Sequence, residues 1–174
     1  MGLYRFGDRI PVVKKDSYVS DSAQVIGDVV IESDCYIGHG AILRGDYGSI
    51  RVGEGTAVEE NAVIHIQPNC VSLIGRKVTI GHGAIVHCKR INDFAVIGMG
   101  AVLSFDVEIG EWAIVGEGCV VPAGTKISSE KIMMGVPAKI VGEVHQGQKD
   151  FWLYGKQLYI DLAHRYGKNF ERIS

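Results

Sequence analysis

Residues 13–48 read VKKDSY VSDSAQ VIGDVV IESDCY IGHGAI LRGDYG when broken every six residues. An aliphatic residue opens each block (Val13, Val19, Val25, Ile31, Ile37, Leu43), and the fifth place is small until the last (Ser17, Ala23, Val29, Cys35, Ala41, then Tyr47). After a short insertion the series resumes at Val52, Val58 and Ile64, and after another at Ile74, Ile80 and Val86. One residue is then lost before Ile91, and the run finishes at Ile97, Leu103, Ile109, Val115, Val121 and Ile127, about nineteen units in all. One large aliphatic and one small residue per six describe short strands joined by tight turns around a triangular coil, a parallel β-helix. Ordinary sandwich strands would place turn signals at 8 to 12 residues instead. Three units per coil predict about six coils. Periodicity leaves the hand of the helix open.

The same ruler explains an unusual composition. Glycine is 23 of 174 residues, roughly double the usual ~7%, in a chain that is 47% hydrophobic and has only 4 Pro. Disorder and collagen are therefore excluded. Glycine recurs at the second place of the unit (Gly38, Gly53, Gly75, Gly81, Gly98, Gly110, Gly116), where it is expected to serve turns whose backbone a side chain would hinder. The repeat stops near MMGVPAKIVGEV (133–144), giving a β-helix domain at 1–140 and a C-terminal helical segment at 141–174. From about Gln148 to Glu171 the chain reads as a helix with Leu158, Leu162, Tyr166 and Phe170 in one apolar stripe, able to pack alongside the prism.

Lys plus Arg number 18 against 20 Asp plus Glu, a net charge of −2 with no basic stripe, which argues against nucleic acid. No stretch approaches the ~20 apolar residues of a membrane span, and MGLYRFGDRIPVVKK (1–15) has no signal-peptide core. A cytoplasmic protein without membrane contact is expected, and Cys35, Cys70, Cys88 and Cys119, lacking paired spacing, are expected as reduced thiols.

Residues one coil apart stack on one face. Leu43 to Ile64 is eighteen residues plus three inserted, and Ile64 to Val86 eighteen plus four, so the second places of these units, Arg44, His65 and His87, form an outward column. Two imidazoles at strand spacing can chelate one metal ion. His82 belongs to the preceding unit, across a corner, in a column with His39, Glu60 and Met99. Three chains around a threefold axis would let His65 and His87 of one meet His82 of the next, closing three-histidine sites between subunits of a homotrimer. Arg44 and Asp46 are expected to pair beside the site, or to engage Glu60 across the interface. His39, His145 and His164 are expected as surface or interface residues.

The stretches ILRGDYGSIRVG (42–53), NAVIHIQ (61–67), IGHGAIVHC (80–88), IGMGAVL (97–103) and GVPAK (135–139) resemble the γ-class carbonic anhydrase family over nearly the whole chain. The resemblance implies a left-handed β-helix trimer with a C-terminal helix, and Zn2+, or Fe2+ or Co2+, held by His65, His82 and His87. It implies hydration of CO2 to bicarbonate by a metal-activated water, with Arg44 and Asp46 near the metal and Tyr159 on the pocket wall. Glu59 and Glu60 stand where the family carries a Gln-Asp pair. Glu59 thus replaces a neutral amide that would orient the bound anion, and neither Tyr47 nor Pro68 supplies an acidic proton shuttle, so weak hydratase activity is expected. The hexapeptide repeat and GVPAK are shared with acyltransferases that use acyl-CoA. That activity, or a metal-dependent thioesterase or hydrolase acting on a small molecule at the same site, is the alternative.

Overall fold

A computed structural model of the chain describes residues 2–171 and 173. Met1, Arg172 and Ser174, the outer ends of the two segments assigned from sequence, lie outside the described residues. The chain winds a left-handed, three-faced parallel β-helix and closes with one helix, α1 (Gln146–Asn169). No helix among the described residues is long and apolar enough to cross a membrane.

The first face stacks Gly2–Tyr4, the leading parts of Gln24–Ile31 and Ile42–Val52, Val63–His65, Ile85–Val86, Val102–Leu103 and Val120–Val121. The second stacks Val12–Val13, the trailing parts of the same two long strands, Val71–Ile74, Arg90–Ile91, Glu108–Ile109 and Lys126–Ile127. The third runs from Tyr18–Val19 and Tyr36–Ile37 through Ala57–Val58, Thr79–Ile80, Val96–Ile97 and Ile114–Val115 to Lys131–Met134, where Lys139–Glu143 adds antiparallel. Each face therefore carries seven rungs, against the six coils expected. The additional rungs centre on Leu3, opposite Val25, and Met133, opposite Val115. Leu3 lies ten residues before Val13, off the six-residue step, whereas Met133 follows Ile127 by six and continues the series one unit beyond the nineteen counted.

Inside, the aliphatic openers Val25, Leu43, Ile64, Val86, Leu103 and Val121 stack in one fully buried column. The fifth places, Ala41, Ala62, Ala84, Ala101 and Cys119, are equally buried. The bore of a triangular coil has room for one large side chain per face and a small one at each bend. Parallel pairing satisfies the strand amides, and the turn amides bond to the next coil, as Gly83 N–H does to the Glu60 carbonyl at 2.9 Å.

Glycine's role differs from the expectation. The left-handed turn residue is the fourth of the unit, where Gly100 has φ of +65° and Asp34, Asn61 and even Trp112 adopt the same conformation. The second-place glycines are there for proximity: a Cβ on Gly98 would lie 2.6 Å from the Glu117 nitrogen of the next coil.

The outward sides of the three faces are unlike one another. On the first face Ile42, Val63, Ile85, Val102 and Val120 form an unbroken apolar ladder, with Ile85 44% exposed. The corresponding ladder on the second is Arg51, Leu73, Arg90, Glu108 and Lys126. The third is covered by α1.

Helix α1 opens at His145, whose side chain accepts the Gln148 N–H while the Gln148 side chain accepts the His145 N–H, a capping box with His in the usual Ser/Thr role. It thus starts two residues before the expected Gln148 and ends two before Glu171. Lys149 pairs with Glu130 near the last coils, and Ala163, Leu162 and Tyr166 pack with Tyr18, Tyr36 and Ala57 near the first, so the helix runs back along the prism. The docking face is Lys156, Tyr159, Ala163 and Tyr166 with Leu162 beside it, so it keeps Leu162 and Tyr166 of the expected stripe; Leu158 is 49% exposed, and Phe170, past the helix end, meets the His39 ring. A row spaced strictly by four drifts about 40° per step around a helix that turns about 100° per residue, so it cannot stay on a flat sheet. Alternating steps of three and four do.

Candidate metal centre

The corner between the first and second faces carries the predicted column. Arg44 pairs in register with His65, and Ile64 with Val86, which stacks His87 on His65. The two imidazoles lie with ring centres 4.7 Å apart, and His65 Nδ1 is 3.0 Å from His87 Nε2. Arg44 pairs with Asp46 within the chain at 2.6 Å, and Asp46 Oδ1 comes to 3.4 Å from His65 Nε2. That contact lacks hydrogen-bond alignment: His65 Nε2 and His87 Nδ1 are buried with no hydrogen-bond partner. Burial, then the Arg44 charge, lowers the pKa of His65, and burial with the neighbouring His65 lowers that of His87, so both rings are neutral. Burial opposes ionisation of Asp46 but is outweighed by its bonds to Arg44 and the Tyr47 N–H, leaving its carboxyl below the usual range. Neutral imidazoles with two nitrogens converging to 3.0 Å are the donor set a divalent ion of the zinc or iron class takes.

The opposite edge of the first face, at the corner with the third, carries the second group. His82 Nδ1 is 2.8 Å from Glu60 Oε2, and Glu60 Oε1 accepts the Tyr36 hydroxyl at 2.7 Å. His82 Nε2 is 3.2 Å from Glu59 Oε2, which also accepts the His82 backbone N–H at 3.1 Å. Glu59 is 6% exposed, and Tyr159 of α1 lines the same cavity wall. Burial raises the Glu59 pKa against the opposing pull of His82 and Tyr159. Burial of Glu60 works the same way but is outweighed by the Tyr36 hydroxyl, its own N–H and His82, and its pKa falls.

The predicted residues therefore form two half-sites flanking the apolar first face: Arg44, Asp46, His65 and His87 on one edge, Glu59, Glu60, His82 and Tyr159 on the other. Among the described residues, no group of three or more His, Cys, Asp or Glu side chains within one chain could hold a metal ion. The remaining histidines have local partners: His39 bonds Ser20 at 2.6 Å, His145 caps α1, and His164 meets Asp34 at 2.8 Å.

Two residues escaped the sequence reading. Tyr36 backs Glu60, but a Tyr at the sixth place of a unit carries no signal of that role. Lys156 is 2% exposed, donating to Thr79 Oγ1 at 2.9 Å and the Ala95 carbonyl at 3.3 Å, with its Nζ 5.7 Å from the Trp152 ring. Burial pushes its amine down to about 7, partly resisted by the Glu59 charge. Its spacing of three from Tyr159 was the available clue, masked by the expectation that lysine faces water. Beside these residues a cavity of about 510 Å³ runs between α1 and the third face, walled by Glu59, His82, Met99, Met134, Trp152 and Tyr159.

The chain is 36% identical to γ carbonic anhydrase 2, mitochondrial, of Arabidopsis thaliana over 95% of its own length and 63% of that protein. It is 35% identical to the carnitine operon protein CaiE of Escherichia coli K12 over 95% of its length and 84% of CaiE. It thus spans about six tenths of the plant relatives it matches. Among solved structures, a hexapeptide transferase family protein from Anaplasma phagocytophilum superposes with a TM-score of 0.89 at 30% identity, covering 94% of this chain and 97% of that one. No family model matches the chain.

Proposed function

Because the chain belongs to the γ-class carbonic anhydrase-like family of hexapeptide-repeat β-helix proteins, we propose that it is a metalloenzyme hydrating CO2 to bicarbonate, with its centre completed between the subunits of a homotrimer. The observation that carries this reading is the half-buried His65–His87 pair with nitrogens 3.0 Å apart. His82 on the far edge of the same face supports completion by a neighbour. So does the face between them, an apolar ladder where the second face is charged and the third is covered.

His65, His87 and the neighbour's copy of His82 would hold Zn2+, or Fe2+ or Co2+ in its place. Such an ion supplies a water whose pKa is lowered to about 7. The chain's own residues do the rest. Glu60, fixed by Tyr36, orients the His82 ring through Nδ1, the carboxylate-to-histidine arrangement that sets the ligating tautomer. Asp46, fixed by Arg44, stands 3.4 Å from the outer nitrogen of His65 and places a negative charge beside that ring without a hydrogen bond to it. Glu59 faces the other nitrogen of His82. With Tyr47 exposed and Pro68 after the first histidine strand, no acidic side chain at either place carries the product proton outward, and slow turnover follows.

A second reading, hydrolysis of an organic acyl compound on the same centre, is favoured by the cavity. A volume of about 510 Å³ suits a drug-sized ligand, far larger than CO2. Its lining includes no Lys or Arg to meet the phosphates of acyl-CoA, which weighs against acyl transfer from that donor there.

The test is metal analysis of protein purified from metal-replete medium, followed by stopped-flow CO2 hydration beside an acyl-ester hydrolysis screen. Near one ion per chain in the wild type, lost in His65→Ala, His87→Ala and His82→Ala with the β-helix intact, is the expected result. Full metal content in His82→Ala would refute the shared centre, and far less than one ion in the wild type would refute the metalloenzyme.

A further inference from the structure

We infer that Glu59 is itself a metal ligand, so that the centre of this chain is a three-histidine, one-carboxylate site. The inference rests on the proposed role of His82 as a ligand and adds a donor to it.

Two donors on one ion, each at about 2.0–2.2 Å and separated by an angle between octahedral and tetrahedral, lie about 2.8–3.6 Å from each other. The His65 Nδ1 to His87 Nε2 separation, 3.0 Å, falls in that interval, and so does that of His82 Nε2 and Glu59 Oε2, 3.2 Å. On the other side of the His82 ring, Glu60 Oε2 is 2.8 Å from Nδ1, the length of a hydrogen bond, and its second oxygen is committed to Tyr36. The two carboxylates are therefore unequal. Glu60 locks Nδ1 as the protonated nitrogen and leaves Nε2 as the donor. Glu59 is the group that faces that donor.

Glu59 is also held in place. The His82 N–H binds the same oxygen that faces Nε2, and Tyr159 of α1 lines the same wall of the cavity. A side chain this buried, with one oxygen pinned by a backbone N–H beside a histidine nitrogen, has the preorganisation of a ligand. The neutral amide that the family resemblance places here would be a far weaker donor. A carboxylate lowers the net charge at the ion, which makes any bound water less acidic and shifts preference from tetrahedral zinc toward ions that accept mixed imidazole and carboxylate sets, such as Fe2+ and Co2+.

The experiment is titration of the metal-free full-length protein with Co2+, read by competition with a chelator and by the ligand-field absorption of the bound ion. Glu59→Gln, nearly isosteric and still able to accept the His82 N–H, is expected to weaken Co2+ binding by about tenfold or more and to change the spectrum. Glu59→Asp, which keeps the charge but not the reach, is expected to change the spectrum as well. Glu60→Gln is expected to change affinity while leaving the spectrum as in the wild type, and circular dichroism confirms that each variant is folded. Wild-type affinity and spectrum in Glu59→Gln would overturn the assignment while leaving the three-histidine centre standing. Failure of the wild type to bind Co2+ at all would instead remove the centre, and this ligand with it.

Discussion

Replacing Lys156 by Met should make the protein more stable at neutral pH, although it deletes two hydrogen bonds. The amine is 2% exposed and pushed from 10.5 down to about 7 by burial, a displacement that corresponds to about 5 kcal/mol of folding free energy withheld at pH 7. Losing the donors to Thr79 Oγ1 and the Ala95 carbonyl costs about 1 kcal/mol each, so a net gain of about 2–4 kcal/mol is expected. The pH dependence is the sharper readout. Below about pH 7 the amine is protonated in both folded and unfolded chains, and its contribution is flat. Between 7 and 10.5 the unfolded chain holds the proton that the folded chain has released. Wild-type stability therefore gains an increment of about 1.4 kcal/mol per pH unit from this group, and the Met variant lacks that increment. The advantage of the variant should shrink steadily as pH rises toward 10. The assay is urea unfolding at pH 7, 8, 9 and 10, at one fixed chain concentration because assembly contributes to stability. Parallel pH profiles for the two proteins, or a variant less stable than wild type at pH 7, would show that Lys156 is a charged, well-compensated group and refute the reasoning.

Gly98→Ala drives a methyl against the Glu117 nitrogen and should cost about 1–3 kcal/mol, whereas Gly100→Ala, with φ of +65° and open space around it, should cost about 1 kcal/mol; chemical denaturation ranks them, and the opposite order would contradict the proximity argument. Ile85→Asp, on the outward apolar ladder, should convert the assembly into folded single chains, measured by light scattering after gel filtration with circular dichroism unchanged. Cys35 and Cys88, whose thiols burial pushes up to about 12, and buried Cys119 should resist a thiol reagent in the native state, leaving half-buried Cys70 to react; all four should react in denaturant.

What could be read from the residues alone was whatever the six-residue step controls. It places the strands, the buried columns and, by counting insertions, the alignment of Arg44, His65 and His87. It stopped short at both ends: Leu3 sits ten residues before Val13, off the step, while Met133 keeps the step from Ile127 but is followed by the antiparallel return instead of another coil. It also could not see side-chain direction. Nothing in the spacing of Glu59, Glu60 and His82 says that two carboxylates close on opposite nitrogens of one ring, because that depends on rotamers set by Tyr36 and Tyr159 from other elements. The helix face is half legible for a related reason: Leu162 and Tyr166 pack as their apolar spacing suggests, but Leu158 faces out and the docked row also contains a lysine whose burial only the prism imposes.

The antiparallel return of Lys139–Glu143 onto Lys131–Met134 bears on how the molecule ages in solution. A stack of parallel rungs has no intrinsic length, and an open terminal rung would invite another chain to dock and continue the coil into a fibre. On the third face the reversal of direction presents an incoming coil with a strand of the wrong polarity, followed at once by the turn into α1. That hairpin acts as a stopper, and its loss by proteolysis or truncation would convert a finite particle into a seed for filaments.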